Sequence, residues 1–316
     1  MKPKKIDKQS LAGKADKEII ILRHGGGRLG NQLWLYTNVY AFCLENGYKC
    51  SNPSFFAYNK YYGFHDPNPL VKFFEFLNNF KINDSHASNY LFYKMYKYCS
   101  SLMPILQKGV VIKIKPDQKL NLPPTRVTKP NHKKIIRLIE SNRCKYVYLD
   151  GGQFENPKGV KKYRKQITKK FLPEANVVKK VDNFLKRFRN CCLVAVHIRQ
   201  GDYKRYRGGK LYFSQPEVAS ILRLFIAKYY KGNKKVKFIL FSDSKIDLNN
   251  FTGLDIVAGF GPDSMIEDML AMSRCDVIIA SESSFSSYAA YYGDIPLLNF
   301  GRSKHGILGI RKTIYT

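Results

Sequence analysis

The sequence predicts an α/β fold built on parallel sheet, and three observations carry that prediction. From residue 215 onward, short apolar runs alternate with helical stretches, the pattern of βαβ units. Near the N-terminus, the β-branched run Glu18–Leu22 leads into the glycine-rich stretch Gly25–Gln32 and then a helical pattern over Leu33–Glu45, closed by Gly47. In mid-chain, the apolar run Leu193–Val196 ends directly in His197-Ile198-Arg199-Gln200-Gly201-Asp202-Tyr203. A buried strand that ends in polar groups is where an open α/β sheet presents its ligand site.

Taken in order, residues 1–17 are polar and lysine-rich and read as a loose basic arm. They contain no apolar core of a signal peptide. The glycine loop matches GxGxxG at Gly25, Gly27 and Gly30, but no acidic residue occurs between Asn46 and His65. A dinucleotide site needs one about 20 positions on, so an NAD reading is rejected. What remains is a loop that brings amides and a helix N-terminus to an anion or sugar, with Asn31 and Gln32 as caps or ligands to hydroxyls. The aromatic segment Phe55–Phe64 reads as core, Tyr90–Met103 as a helix, and Lys113–Lys134, with four prolines, as a loop.

Lys145–Asp150 is a second strand, followed by Gly151-Gly152-Gln153-Phe154-Glu155. The basic run Lys158–Lys170 reads as a solvated helix face, with attraction to anionic lipid or nucleic acid as the sharper alternative. Val177–Phe188 is an amphipathic helix. After the central strand come a helix (Gln215–Tyr230), a strand (Val236–Phe241) ending in Ser242-Asp243-Ser244, and a short strand (Leu254–Ala258). A helix capped by Ser264 follows (Ser264–Arg274), then a strand (Asp276–Ala280) ending in a serine cluster over Ser281–Ser287. A helix (Phe285–Tyr292) and a strand (Pro296–Phe300) close the pattern. Three strand ends thus meet on one sheet edge. The first offers a planar cation, Arg199, suited to bidentate capture of phosphate. The second offers a carboxylate for a base or ribose, and the third hydroxyls at a helix N-terminus. Together they point to a nucleotide or sugar-nucleotide site.

Composition limits the function classes. The formal net charge is +30, from 54 Lys and Arg against 24 Asp and Glu, which implies an acidic partner. A nucleic-acid-binding protein is the competing class, but no RNA- or DNA-binding motif is present. Seven cysteines without a CxxC pair read as reduced thiols. No apolar run approaches a membrane span, so the expectation is a cytoplasmic protein held at the inner membrane face by charge.

These motifs, in this order, resemble the α-1,2-fucosyltransferases of glycosyltransferase family 11. Gly27-Arg28-Leu29-Gly30-Asn31-Gln32 is similar to the family's Gly-x-Gly-Asn-Gln loop, and Tyr148–Glu155 to its mid-chain segment. His197–Tyr203 is similar to the His-x-Arg-x-Gly-Asp-Tyr motif of related fucosyltransferases. Phe241–Ser244 and Ser281–Ala290 are similar to its Ser-Asp-Asp and serine-rich motifs. Ser244 stands where a second Asp is usual, Gly152 replaces an aromatic residue, and Glu282 interrupts the serine run. The resemblance implies a GT-B-type fold of two facing Rossmann-like domains, 18–185 on the acceptor side and 186–316 binding GDP-fucose. It implies metal-independent, inverting transfer of fucose to O2 of a terminal galactose on an oligosaccharide or lipid-linked glycan, with no cofactor. Consistent with this, the sequence holds no Asp-x-Asp.

Arg199 is expected to hold the pyrophosphate, His197 to orient the ligand, and Asp202 to act as base or to brace Arg199, with Glu155 and Asp66 as further candidates for the base. Donor contacts are expected from His197, Arg199, Ser242, Asp243, Ser283, Ser284, Phe285, Ser286, Gly30 and Asn31. Acceptor contacts are expected from Gln153, Glu155 and Asp66, with no metal ligands.

Overall fold

A computed structural model of the 316-residue chain describes residues 16–25, 27–79, 86–114, 131–152, 154–261, 264–303 and 305–312. The chain divides into two compact units, Met1–Leu172 and Pro173–Thr316. Each is built on its own sheet, and the α/β class with parallel strands is the one observed.

In the first unit, β1 (Glu18–Arg23), β2 (Lys49–Ser51), β3 (Val110–Lys113) and β4 (Tyr146–Asp150) form a parallel sheet of order β2-β1-β4-β3. Ile19, Ile20, Ile21 and Leu22 are all buried, as a strand covered on both faces requires. The helix after β1, α1 (Leu29–Asn46), starts four residues before Leu33. Gly27, with φ +89°, turns the chain so sharply that Leu29 and Gly30 already lie in the first turn. Asn31 and Gln32 are therefore helical residues; the N-cap position is Arg28, whose side chain makes no cap bond. Gly47 ends the helix in the left-handed region.

The next helices are α2 (Asn59–Tyr62), α3 (Pro69–Asn79), α4 (His86–Cys99) and α5 (Met103–Leu106). The aromatic segment is core: Phe55 and Phe56 are buried, and Phe55 packs against Tyr36, Tyr58 and Tyr62. Within the stretch read as a loop, Lys113 ends β3 and His132 starts α6 (His132–Ser141), while 115–130 lie outside the described residues. The basic run folds as α7 (Pro157–Lys162) and α8 (Arg164–Lys170).

The second unit opens with α9 (Ala175–Leu185), which packs on α11 (Met265–Met272). Its sheet has the order β10-β9-β8-β5-β6-β7, with β5 (Cys191–Ile198), β6 (Lys235–Ser242), β7 (Ile256–Ala258), β8 (Val277–Ala280) and β9 (Leu297–Arg302) parallel. The edge strand β10 (Leu308–Lys312), absent from the sequence reading, is antiparallel to β9. Helix α10 (Gln215–Leu224) carries a Ser214/Glu217 capping box, and Phe225–Tyr229 continues it as a π turn. The last helix is α12 (Ser284–Gly293). From β5 the chain winds outward through β6 and β7, then returns to β8 on the other side of β5. The strand order therefore reverses between β5 and β8, and a doubly wound sheet binds its ligand beyond the carboxyl ends at such a point.

Candidate active site at the switch point

Both strands flanking the reversal end in the predicted polar groups. Arg199 follows β5 directly, and its amide donates to the Ser281 hydroxyl at 3.2 Å, tying together the segments that follow β5 and β8. The Arg199 side chain is largely buried and is held in a fixed direction. Its Nε donates to Asp202 Oδ1 at 3.1 Å and its Nη2 to Asp202 Oδ2 at 3.0 Å, the parallel fork of a guanidinium–carboxylate pair. Asp243 Oδ2 lies 3.9 Å from Nε, and the guanidinium sits 4.9 Å from the centre of the Tyr203 ring. Burial works against the cation, but the Asp202 hydrogen bonds and the Asp202, Tyr203 and Asp243 charges hold its pKa above the ordinary value.

Asp243 also shapes the loop. Its Oδ1 accepts from the amides of Gln200 at 3.0 Å and Gly201 at 3.3 Å. The carboxylate read as a base or ribose contact thus binds the chain that carries Arg199. Ser242 Oγ donates to the Ile198 carbonyl at 2.8 Å and accepts from the Ser244 amide at 3.1 Å, fixing the end of β6 against β5.

His197 is buried, and its ring lies 5.3 Å from that of Phe285. Burial, reinforced by the Arg199 charge and opposed by Asp243, pushes it down to about 4, so the imidazole is neutral at pH 7. Its Nδ1 is buried and has no hydrogen-bond partner among the described residues. Such an atom is costly to leave unpaired, and a bound ligand is one way to satisfy it.

The serine cluster divides by role. Ser283 caps α12, accepting from the Phe285 amide at 3.2 Å. Ser286 is fully buried and donates to the Ser281 and Ser283 carbonyls at 3.4 and 3.2 Å. Ser284 and Phe285, both half-buried, stand in the first turn of α12. The end of a ten-residue helix, beside the Arg199 cation, suits an anion.

Two residues not singled out from the sequence belong to this edge. Tyr203 is buried under Arg199, donates to the Glu282 carbonyl at 2.6 Å and stacks on Tyr206. Its only signal was its place in the motif. Asp268, on α11, is buried and accepts from the Phe260 amide at 2.9 Å in the loop after β7. Burial pushes its carboxyl up to about 8. A carboxylate inside an apolar helix pattern gave no sign of burial.

In the first unit, the glycine loop lies beyond the carboxyl end of β1. Gly30 is buried and Asn31 exposed in the first turn of α1, while Gln32 Nε2 donates to the Gly27 carbonyl at 3.1 Å. The Gly25 amide donates to Tyr93 Oη at 3.2 Å, and His24 stacks on the Tyr93 ring at 3.8 Å. A Cβ on Gly25 would lie 2.6 Å from Gly152 Cα, so the loops after β1 and β4 cross backbone to backbone. Glu155 is half-buried on the loop after β4, with its carbonyl 2.9 Å from His132 Nε2. Gln153 lies outside the described residues.

Asp66 is placed elsewhere. It lines a pocket of about 470 Å³ with Glu18 and Tyr146, at the amino ends of β1 and β4. Burial raises its pKa, and it accepts from the Asn68 amide at 2.9 Å. The fold does not bring it to the glycine loop. Among the described residues, no cluster of three metal-type ligands occurs.

Residues 153–298, which contain the whole switch-point site, match the family described as Glycosyl transferase family 11. No curated protein matches the chain in sequence. In structure it is similar to NodZ, an α-1,6-fucosyltransferase soaked with GDP-fucose, at TM-score 0.54 and 15% identity, over 94% of this chain and 100% of that one. A further structure of NodZ, from Bradyrhizobium, gives TM-score 0.53 and 15% identity, over 94% of this chain and 99% of that one. POFUT1 in complex with GDP aligns at TM-score 0.51 and 12% identity, over 91% and 99% of the two chains. A mutant of Arabidopsis thaliana FUT1 in complex with GDP aligns at 0.54 and 11%, over 94% and 75%. The fold is thus the GT-B-type fold of these fucosyltransferases.

Proposed function

We propose that this chain is an inverting α-1,2-fucosyltransferase that uses GDP-fucose as donor and O2 of a terminal galactose as acceptor. The observation that carries the donor side is Arg199. It is a buried, pre-oriented guanidinium at the switch point, beside a helix N-terminus and a neutral histidine with an unpaired nitrogen. Together with the family match, it favours a diphosphate-linked donor.

In this reading Arg199 takes up the charge that develops on the leaving diphosphate. His197 and the first turn of α12, with Ser283, Ser284, Phe285 and Ser286, form the rest of the anion site, while Ser242 and Asp243 hold the loop. Gly30 and Asn31 serve the donor sugar, and Glu155 and Gln153 the acceptor. Asp66, at the amino ends of its strands, has no role in transfer. When the diphosphate engages Arg199, one Asp202 oxygen is released from the guanidinium. It then takes the proton of the acceptor hydroxyl as that oxygen bonds to the anomeric carbon and GDP departs. No metal is needed, because cation and helix amides supply the counter-charge. The acceptor is a lipid-linked glycan, and the basic protein works at the anionic inner face of a membrane.

Thermal unfolding with GDP, UDP or CMP, each with and without EDTA, tests the donor. Stabilisation by GDP alone, unchanged by EDTA, is expected; no response to GDP, with salt-sensitive oligonucleotide binding instead, would overturn the reading. NMR of the product from an acceptor panel then tests the linkage. Transfer to a chitin-type oligosaccharide or a protein hydroxyl would keep the donor and replace the galactoside.

A further inference from the structure

Half of the exposed large apolar side chains among the described residues lie between Phe73 and Leu106. Six of these eight fall in α4, the turn after it and α5. Leu91, Met95, Tyr98 and Leu102 follow one another at intervals of four, three and four residues, which places them on a single stripe of α4 and the turn after it. Ile105 and Leu106 extend the stripe at the end of α5. Tyr98 is 81% exposed, Leu106 79% and Ile105 72%. The opposite side of the same segment is anchored: Tyr96 is fully buried and donates to the Leu22 carbonyl at 2.9 Å, and Met103 packs with Ile20 and Leu22. The stripe is therefore displayed by a segment held firmly from behind.

Along the segment itself the charge has one sign. From residue 86 to 114 the chain has no Asp or Glu, while Lys94, Lys97, Lys108 and Lys113 are exposed. A second copy of a protein with net charge +30 would be repelled from this face. An anionic surface would be attracted to it. No described helix is long and apolar enough to cross a membrane. A short amphipathic segment with apolar stripe and flanking lysines instead suits the interface plane, with its apolar residues among the headgroups.

We propose that the α4–α5 face is a docking surface for an anionic lipid bilayer, with Leu91, Met95, Tyr98, Leu102, Ile105 and Leu106 entering the interface. The inference deepens the reading of a membrane-borne acceptor and rests on it for its purpose, but the binding itself is independent of catalysis. It also differs from the sequence-based candidate, the run Lys158–Lys170. There the lysines face solvent on α7 and α8, and Lys170 turns in to the rings of Tyr36, Tyr40 and Phe64.

The experiment is flotation of the full chain with phosphatidylcholine vesicles, with and without phosphatidylglycerol. Binding only to the anionic vesicles is expected. The pair Ile105→Glu with Leu106→Glu should weaken it at least about tenfold, since buried apolar area and surface charge both contribute. The milder Leu102→Gln should weaken it less, and both variants should unfold at the wild-type temperature and keep the GDP response. Replacing Lys161, Lys162, Lys165 and Lys169 by Gln should have the smaller effect. Unchanged flotation of the stripe variants would overturn the proposal, as would their loss of a dimer by light scattering without loss of vesicle binding. A missing GDP response with intact flotation would instead count against the transferase reading alone.

Discussion

The loops that follow β1 and β5 each leave the carboxyl end of a strand with parallel neighbours on both sides, yet they are built from opposite materials. After β5 the chain carries a largely buried cation in a net of bonds: Arg199 is held by Asp202, the Gln200 and Gly201 amides by Asp243 from the end of β6, and Tyr203 by the Glu282 carbonyl. After β1 the chain carries almost no side chain. Gly25 and Gly27 take positive φ, and Gly25 touches Gly152 directly. Under the proposed function the contrast is a division of labour. A charged transition state needs fixed charges in place beforehand, whereas close approach to a neutral sugar needs bare backbone.

The sharpest way to break this comparison is Arg199→Ala. Transfer should fall by about two to three orders of magnitude, the scale of losing one charge-stabilising donor. Arg199→Lys should recover little, because a single ammonium cannot form the fork to Asp202. Turnover within a few-fold of wild type in either variant would remove Arg199 from the reaction. The matching test in the first unit is Gly25→Ala. Its methyl would meet Gly152 Cα at 2.6 Å on a residue with φ +72°, so we expect about 2 kcal/mol lost in urea unfolding. An unchanged denaturation midpoint would mean that the two loops separate freely.

Smaller effects separate charge from bracing. Tyr203→Phe keeps the ring under Arg199 but loses the bond to Glu282, at a cost of about 1 kcal/mol. Transfer should drop modestly in kcat with KM for GDP-fucose nearly constant; a larger change in KM would place Tyr203 in donor binding. The smallest effect is a pH dependence in which two buried groups oppose each other. The unfolded His197 ring takes up a proton below 6.5 and the folded one only below about 4. Its contribution is therefore full above 6.5 and declines as pH falls towards 4. The unfolded Asp268 carboxyl ionises above 3.8 and the folded one only above about 8. Its contribution is full below 3.8 and declines as pH rises towards 8. Subtracting the unfolding free energies of His197→Asn and Asp268→Asn from wild type across pH should give slopes of opposite sign. A flat difference for either variant would show that the group is solvated in the folded protein.

The long strands were readable because each is a run of buried β-branched residues, as in Glu18–Leu22 and Leu193–Val196. The strands missing from the sequence reading, β2, β3 and β10, have only partly buried or exposed side chains among the described residues, so their apolar signal is weak. The start of α1 lies earlier than the sequence implies because Gly30 and Asn31 read as loop formers, while the turn is complete by Gly27. Arg199, His197 and the serine cluster were visible as chemistry at strand ends. What Asp243 and Tyr203 do was not, since it depends on contacts with residues 43 and 79 positions away. Asp66 failed for the same reason in reverse: nothing in its sequence neighbourhood told which end of the sheet it would reach.

The crossing of Gly25 over Gly152 has a consequence for anyone who would exchange the loops of the first unit. Because the crossing leaves no room for a Cβ on either side, the loops after β1 and β4 constrain each other's sequence. A graft that swaps one and keeps the other must preserve its glycine, or it will collide with its neighbour before it meets any substrate.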